Sequence, residues 1–233
     1  MIKGIFQSAK SLQACNKNME KVANNLANIN TTGYKREGMF SEILSSMTGP
    51  KIRSVVDTSQ GELFTTSNPL DMAINGEGLF VLQSENGYEF TRNGSFRISD
   101  EGFLVNEEGK KVIGKNGEID LSSFLNGEDA KISVSKNGEI QVNDTPVSEL
   151  LVVKIDDFEK RKTGLNFNAT ENIMDFVQQD KYEILQGYLE ESNVNPILEM
   201  ENMINISKDY ESAYKMITYL DGTLEKANEL GKL

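Results

Sequence analysis

The sequence predicts an α+β protein whose N- and C-terminal helices pair as a coiled coil, with a central, mostly antiparallel β domain between them in sequence. Three observations carry this reading. Apolar residues recur in heptads at both ends of the 233-residue chain, the middle changes to short strand-like pieces, and those pieces are punctuated by Asn-Gly dipeptides. Heptads mark a helix that needs a partner, and Asn-Gly tolerates the positive φ of tight hairpin turns.

Residues 1–36 form the predicted N-terminal assembly helix. Ile5, Leu12, Met19 and Leu26 lie seven apart, and Cys15, Val22 and Ile29 make a second row three residues on. Two such rows form one seam. Thr31-Thr32-Gly33 is expected to end the helix, with Gly33 in the left-handed conformation. The helix end carries Asn24, Asn25, Asn28 and Asn30, although Asn in a helix interior costs about 0.6 kcal/mol relative to Ala.

Residues 37–70 have weak periodicity and scattered Gly, Pro, Ser and Thr, which predicts an extended connecting arm with short strands. Residues 71–180 are the predicted β domain. Asn-Gly occurs at 75–76, 86–87, 93–94, 116–117, 126–127 and 137–138, between strand-like pieces such as GLFVLQ, YEFTR, KISVS and ELLVVKI. IGKNGEIDL (113–121) recurs as VSKNGEIQV (134–142), which predicts two similar hairpins.

Residues 181–233 comprise a return segment and the C-terminal assembly helix, for which Pro196 suits a start. Met203, Tyr210, Ile217 and Leu224 are spaced by seven, with Ile206, Ala213, Leu220 and Ala227 as the companion row. Charge is complementary between the ends: residues 1–33 hold four Lys and one Glu, whereas residues 196–233 hold seven acids and four Lys. Such opposition favours pairing and register more than stability. Periodicity alone leaves open a hairpin packed only within one chain. The Tyr and Met residues of this helix exceed what one seam buries, which suggests further faces taken by neighbours.

Composition excludes much chemistry. Net charge is −12, so a nucleic-acid partner is not expected. The longest apolar stretch, LLVV at 150–153, predicts no direct membrane insertion, and the N-terminus does not read as a Sec-type signal. Histidine is absent, which removes His-based nucleophile systems and the common zinc sites. Cys15 is the lone cysteine and reads as a small packed hydrophobe. Glu107-Glu108, Asp156-Asp157 and Glu190-Glu191 are adjacent acids of an acidic chain, and strand neighbours point to opposite faces rather than across a substrate. No catalytic, cofactor-binding or metal site is expected, and no cofactor.

Three blocks resemble the axial proteins of the bacterial flagellum, the basal-body rod and hook family. They are VANNLANINTTGYKR (22–36), SQGELFTTSNPLDMAINGEGLFVL with YEFTRNGSFRISDEGFLV (59–105), and LQGYLEESNVNPILEMENMINISKDYESAYKMI (185–217), in the family's order. The close MITYLDGTLEKANELGKL is most similar to the proximal-rod type, and Ser207-Lys208 stands where the distal type usually shows Gln-Arg.

The resemblance implies a structural rod component of the flagellar basal body, exported by the flagellum's own type III apparatus. It would polymerise with itself and with other axial proteins into a torque-transmitting shaft. The interface expected is Leu12, Met19, Val22, Asn24, Asn25, Leu26 and Asn28 on the first helix, and Met203, Tyr210, Ile217 and Leu224 on the second. Asn24, Asn25 and Asn28 are expected to hydrogen-bond to neighbouring subunits, giving register without stacking like charge. A distal rod protein is the alternative within the family. In other classes, an adhesin-like β binding module leaves the matched helices unexplained, and a carboxylate-based hydrolase lacks converging acids.

Overall fold

The computed structural model describes residues 2–42, 51–84, 87–124, 131–154, 162–163, 166–169 and 182–230. Two helices and many short, mostly antiparallel strands make the chain α+β. It divides into two compact units: Met1–Asn28 with Glu37–Val55 and Val194–Leu233, and Ile29–Arg36 with Val56–Asn193.

The first unit contains α1 (Ile2–Ala27), β1 (Glu37–Glu42), most of β2 (Lys51–Val56) and, at the chain's end, α2 (Pro196–Leu230). Asn195 caps α2: its side-chain oxygen accepts from the amides of Ile197 (3.0 Å) and Leu198 (3.3 Å), and Pro196 follows at the position where its missing N–H is harmless. The two helices pack against each other, and β1 packs on α1 and pairs with β2.

Between β2 and α2 the strands of the second unit follow in order. They are β3 (Leu63–Thr65), β4 (Met72–Gly76), β5 (Leu79–Ser84), β6 (Gly87–Thr91), β7 (Phe96–Ile98) and β8 (Leu104–Asn106). Next come β9 (Ile113–Gly114), β10 (Gly117–Glu118), β11 (Ile132–Val134), β12 (Glu139–Val142), β13 (Thr145–Glu149) and β14 (Val152–Val153). The last are β15 (Lys162–Thr163), β16 (Asn166–Ala169), β17 (Tyr182–Gln186) and β18 (Tyr188–Glu190).

A five-stranded sheet, β14-β5-β6-β16-β15, carries the core. Within it β5, flanked by β14 and β6, is buried on both faces, which explains the continuous apolar run GLFVL. Phe80 and Leu82 point into one cluster with Met72, Ile74, Phe96 and Leu104, whereas Leu79 and Val81 point into the other with Phe90 and Val153. The Phe80 and Phe96 rings meet edge to face at 5.2 Å and 85°.

The return segment divides differently from expectation. β17 pairs with β4 (Ile184 opposite Ile74) and β18 with β3 (Leu189 opposite Phe64), so both strands belong to the β body rather than to the helix that follows. Gly187, at φ +74°, lets the chain step from one partner to the next.

Turn chemistry follows the Asn-Gly reading at Asn137-Gly138, where Gly138 (φ +88°) lies in the β11–β12 hairpin turn, but not throughout. Among the described residues, two consecutive positive φ values occur in the hairpin turn Asn143 (51°) and Asp144 (62°), between β12 and β13. The repeated pieces do fold as two hairpins, β9–β10 and β11–β12. Asn93-Gly94, by contrast, makes a close approach: a Cβ on Gly94 would sit 1.6 Å from the Met72 carbonyl oxygen. Asn86 and the pair at 126–127 lie outside the described residues.

Candidate assembly site

The helices of the first unit run antiparallel, and three contacts fix their register. A Cβ on Gly4 would lie 3.2 Å from Leu220 Cδ1, Cys15 feels the charge of Asp209, and the Asn25 amide donates to Glu199 Oε2 at 3.1 Å. Burial, and then Asp209, push the Cys15 thiol above its ordinary range, which suits an inert packed residue. On α2 the less exposed positions include Met203, Ile206, Ala213, Ile217, Leu220 and Leu224. On α1, Leu12, Met19 and Leu26 are half-buried and Val22 is buried. These are the two heptad rows. Tyr210, at 40% exposure, and Ala227, also exposed, break the pattern.

Asn25 is fully buried, and its amide is engaged inside its own chain rather than with a neighbour as expected. It donates to the Glu37 carbonyl (2.8 Å) and accepts from the Glu37 amide (2.9 Å), as a strand residue would, besides its bond to Glu199. Lys21 pairs with the Glu37 carboxylate. Asn25 thus ties α1 to the start of β1 and to the first turn of α2. Asn24 is exposed, and Asn28 is half-buried with its side chain bonded to the Asn24 carbonyl at 2.8 Å. Glu199, a fully buried carboxylate, was not singled out by the sequence; its place on a heptad row with Ile206 and Ala213 was the available signal.

Outside the seam, α2 presents a broad apolar surface. Ile197 (75% exposed), Met200 (59%), Ile204 (56%), Tyr214 (55%) and Tyr219 (77%) stand in solvent, as does Phe6 (71%) on α1. Single exposed apolar residues need no explanation; here several recur along one helix.

In the second unit, sequence reasoning missed a buried ionic cluster. Glu190 is buried between two cations: Lys35 Nζ lies 2.7 Å from its Oε1 and Arg92 Nε 2.5 Å from its Oε2. Arg92 also donates to the carbonyls of Ile74, Gly76 and Gly78, while Lys35 donates to the Ser59 carbonyl. Burial pushes the Lys35 ammonium below its ordinary range, with Glu190 pulling the other way. Glu190 therefore serves neither as half of a catalytic pair nor as a surface acid. Asp156 and Asp157 lie outside the described residues.

Gly33 has the expected positive φ (+69°), but α1 ends at Ala27, so Gly33 is not its cap. Its role is proximity: a Cβ there would be 2.4 Å from the Asn93 amide nitrogen. Among the described residues no cluster of His, Cys, Asp and Glu could hold a metal ion, and no helix is long and apolar enough to cross a membrane.

Three family models match the chain. Residues 8–35 match the flagella basal body rod protein model, residues 73–142 the flagellar hook protein FlgE/F/G D1 domain, and residues 185–230 the flagellar basal body rod FlgEFG protein C-terminal model. The chain is 32% identical over 234 residues to the flagellar basal-body rod protein FlgF of Caulobacter vibrioides, covering 92% of each. It is 31% identical to the FlgF of Rhizobium meliloti, over 97% of this chain and 96% of the relative. The flagellar basal-body rod protein FlgG of Buchnera aphidicola (subsp. Schizaphis graminum) is 29% identical, over 99% and 100%.

Proposed function

Given that this chain belongs to the flagellar basal-body rod protein family, we propose that its helix pair is the element through which it assembles, and that the apolar face of α2 is where sister or related axial subunits seat. The protein is a structural component of the basal-body rod, not an enzyme, and it works in the flagellar basal body. Similarity to the FlgF proteins favours the proximal type.

The observation that carries the assembly reading is the exposure of Ile197, Met200, Ile204, Tyr214 and Tyr219 on one helix of a structural protein. Burying each such side chain against a neighbour contributes about 1.5–3 kcal/mol, so a few anchors repeated along a shaft make it stiff. In this reading α1 and α2 pair as a coiled coil, with Leu12, Met19, Val22, Leu26, Met203, Ile217 and Leu224 as its seam. Asn24, Asn28 and Tyr210 then face neighbouring subunits, while Asn25 sets the register of the pair. Secretion through the flagellar type III export apparatus fits the same picture, because chains destined for such a shaft must reach its growing end.

The test is complementation of a strain lacking the protein with the triple substitution Ile197→Ser, Met200→Ser, Ile204→Ser. The purified variant should keep its helical content, because these residues are exposed in the monomer, while basal bodies seen by electron microscopy should stop short and swimming be lost. Complete rods in swimming cells overturn the proposal.

A further inference from the structure

We propose that Lys35 is a releasable latch: it straps residues 31–36 onto the β body through Glu190, and the body remains closed when the strap lifts. Each member of the ionic cluster comes from a different family-matched segment, Lys35 from residues 8–35, Arg92 from 73–142 and Glu190 from 185–230. The cluster therefore closes only when three distant parts of the chain have met.

Its charge balance is unequal. Two cations share one buried carboxylate. If Lys35 leaves, Glu190 and Arg92 remain a one-to-one pair. Arg92 keeps the carbonyls of Ile74, Gly76 and Gly78, and Glu190 keeps the Gly61 amide at 2.9 Å. The remaining buried charges are still matched, which is the condition under which a buried ion pair is tolerated. If Glu190 is neutralised instead, two like cations stay buried with only carbonyl oxygens bonded to them in the described contacts, Asp57 acting on Lys35 through space alone. Removal of one partner from such a site is strongly destabilising.

The strap itself is held by separable contacts. Thr32 Oγ1 donates to Asn93 Oδ1 (2.9 Å), the Gly33 amide to the Glu190 carbonyl (2.8 Å), and the Arg36 amide to Asn193 Oδ1 (2.7 Å). Asp57 returns a backbone bond to the Arg36 carbonyl at 2.9 Å. Only Lys35 among the strap's side chains reaches the buried carboxylate in the described contacts. Tyr34 beside it is 4% exposed, so lifting the strap exposes an aromatic ring.

Hydrogen exchange on the full-length purified protein tests this with Lys35→Met, which keeps the apolar stem, and Glu190→Gln. Loss of a charge-assisted hydrogen bond corresponds to roughly a tenfold to hundredfold shift in an opening equilibrium. Lys35→Met is expected to speed exchange at residues 31–36 by that factor, with amides of β4 and β5 within twofold of the parent. Glu190→Gln is expected to speed exchange at both, or to leave the β body unfolded. Lys35→Met exposing the strap and strands equally, or leaving the strap as protected as in the parent, overturns the proposal; so does Glu190→Gln with strands as protected as the parent's.

Discussion

Replacing Asn25 by leucine keeps the volume of the side chain but removes its hydrogen bonds to the Glu37 amide, the Glu37 carbonyl and the Glu199 carboxylate. Two of these join neutral groups, at about 0.5–1.5 kcal/mol each, and the third involves a charge, at about 1.5–3 kcal/mol. The sum is about 2.5–6 kcal/mol, reduced by about 1 kcal/mol for the apolar surface that leucine adds. Against a whole-domain stability of about 5–15 kcal/mol, a net loss of ~3 kcal/mol is large. Urea unfolding followed by the helical circular-dichroism signal measures it, with Asn24→Leu as the control. Asn24 is exposed on the same helix end and should change stability by no more than about 0.5 kcal/mol. The reasoning is refuted if Asn25→Leu unfolds within about 0.5 kcal/mol of the parent, or if the two substitutions are equally damaging.

Two further outcomes follow from the second unit. Gly33→Ala should loosen residues 31–36 from the β body at a cost of about 2 kcal/mol, because its Cβ would meet the backbone of Arg92 and Asn93 at a positive φ; faster amide exchange at residues 31–36, with β4 and β5 as in the parent, reads this. Asp57 is pushed up by burial, but the amide and hydroxyl of Ser59, with Arg36 and Lys35, more than offset this and hold it below its ordinary range. A depressed folded-state carboxylate stabilises above its unfolded pKa and loses that contribution as pH falls through the folded value. Asp57→Asn should therefore flatten the loss of stability in acid below about pH 4, and an unchanged acid limb in thermal unfolding counts against this account.

The ends of the chain were the most legible part. A heptad states which residues share a face whatever lies opposite, and the half-buried rows through Leu12, Met19, Ile217 and Leu224 follow it. Asn25 shows where that legibility stops. An amide on the inner side of a helix announces a hydrogen bond but not the partner's identity, and the partners are Glu37 and Glu199. The ionic cluster was hidden for the same reason: Lys35, Arg92 and Glu190 are ordinary surface residue types until the chain brings them together. Strand content was readable from Phe80, Val81 and Leu82, whereas the positive-φ turn at Asn143-Asp144 lacked the glycine that advertises one.

The pairing of β3 with β18 and of β4 with β17 has a consequence for synthesis. While the ribosome is still adding residues after β14, the early strands β3 and β4 have open edges, and their partners do not yet exist. Pairings this distant in sequence form slowly, and an open edge is a template for the wrong neighbour. A message cut short anywhere before the codon for Glu190 thus yields a chain prone to clump rather than a smaller working part. The body of this protein is closed last by almost the final strand made, so completeness of the chain is itself a condition of its solubility.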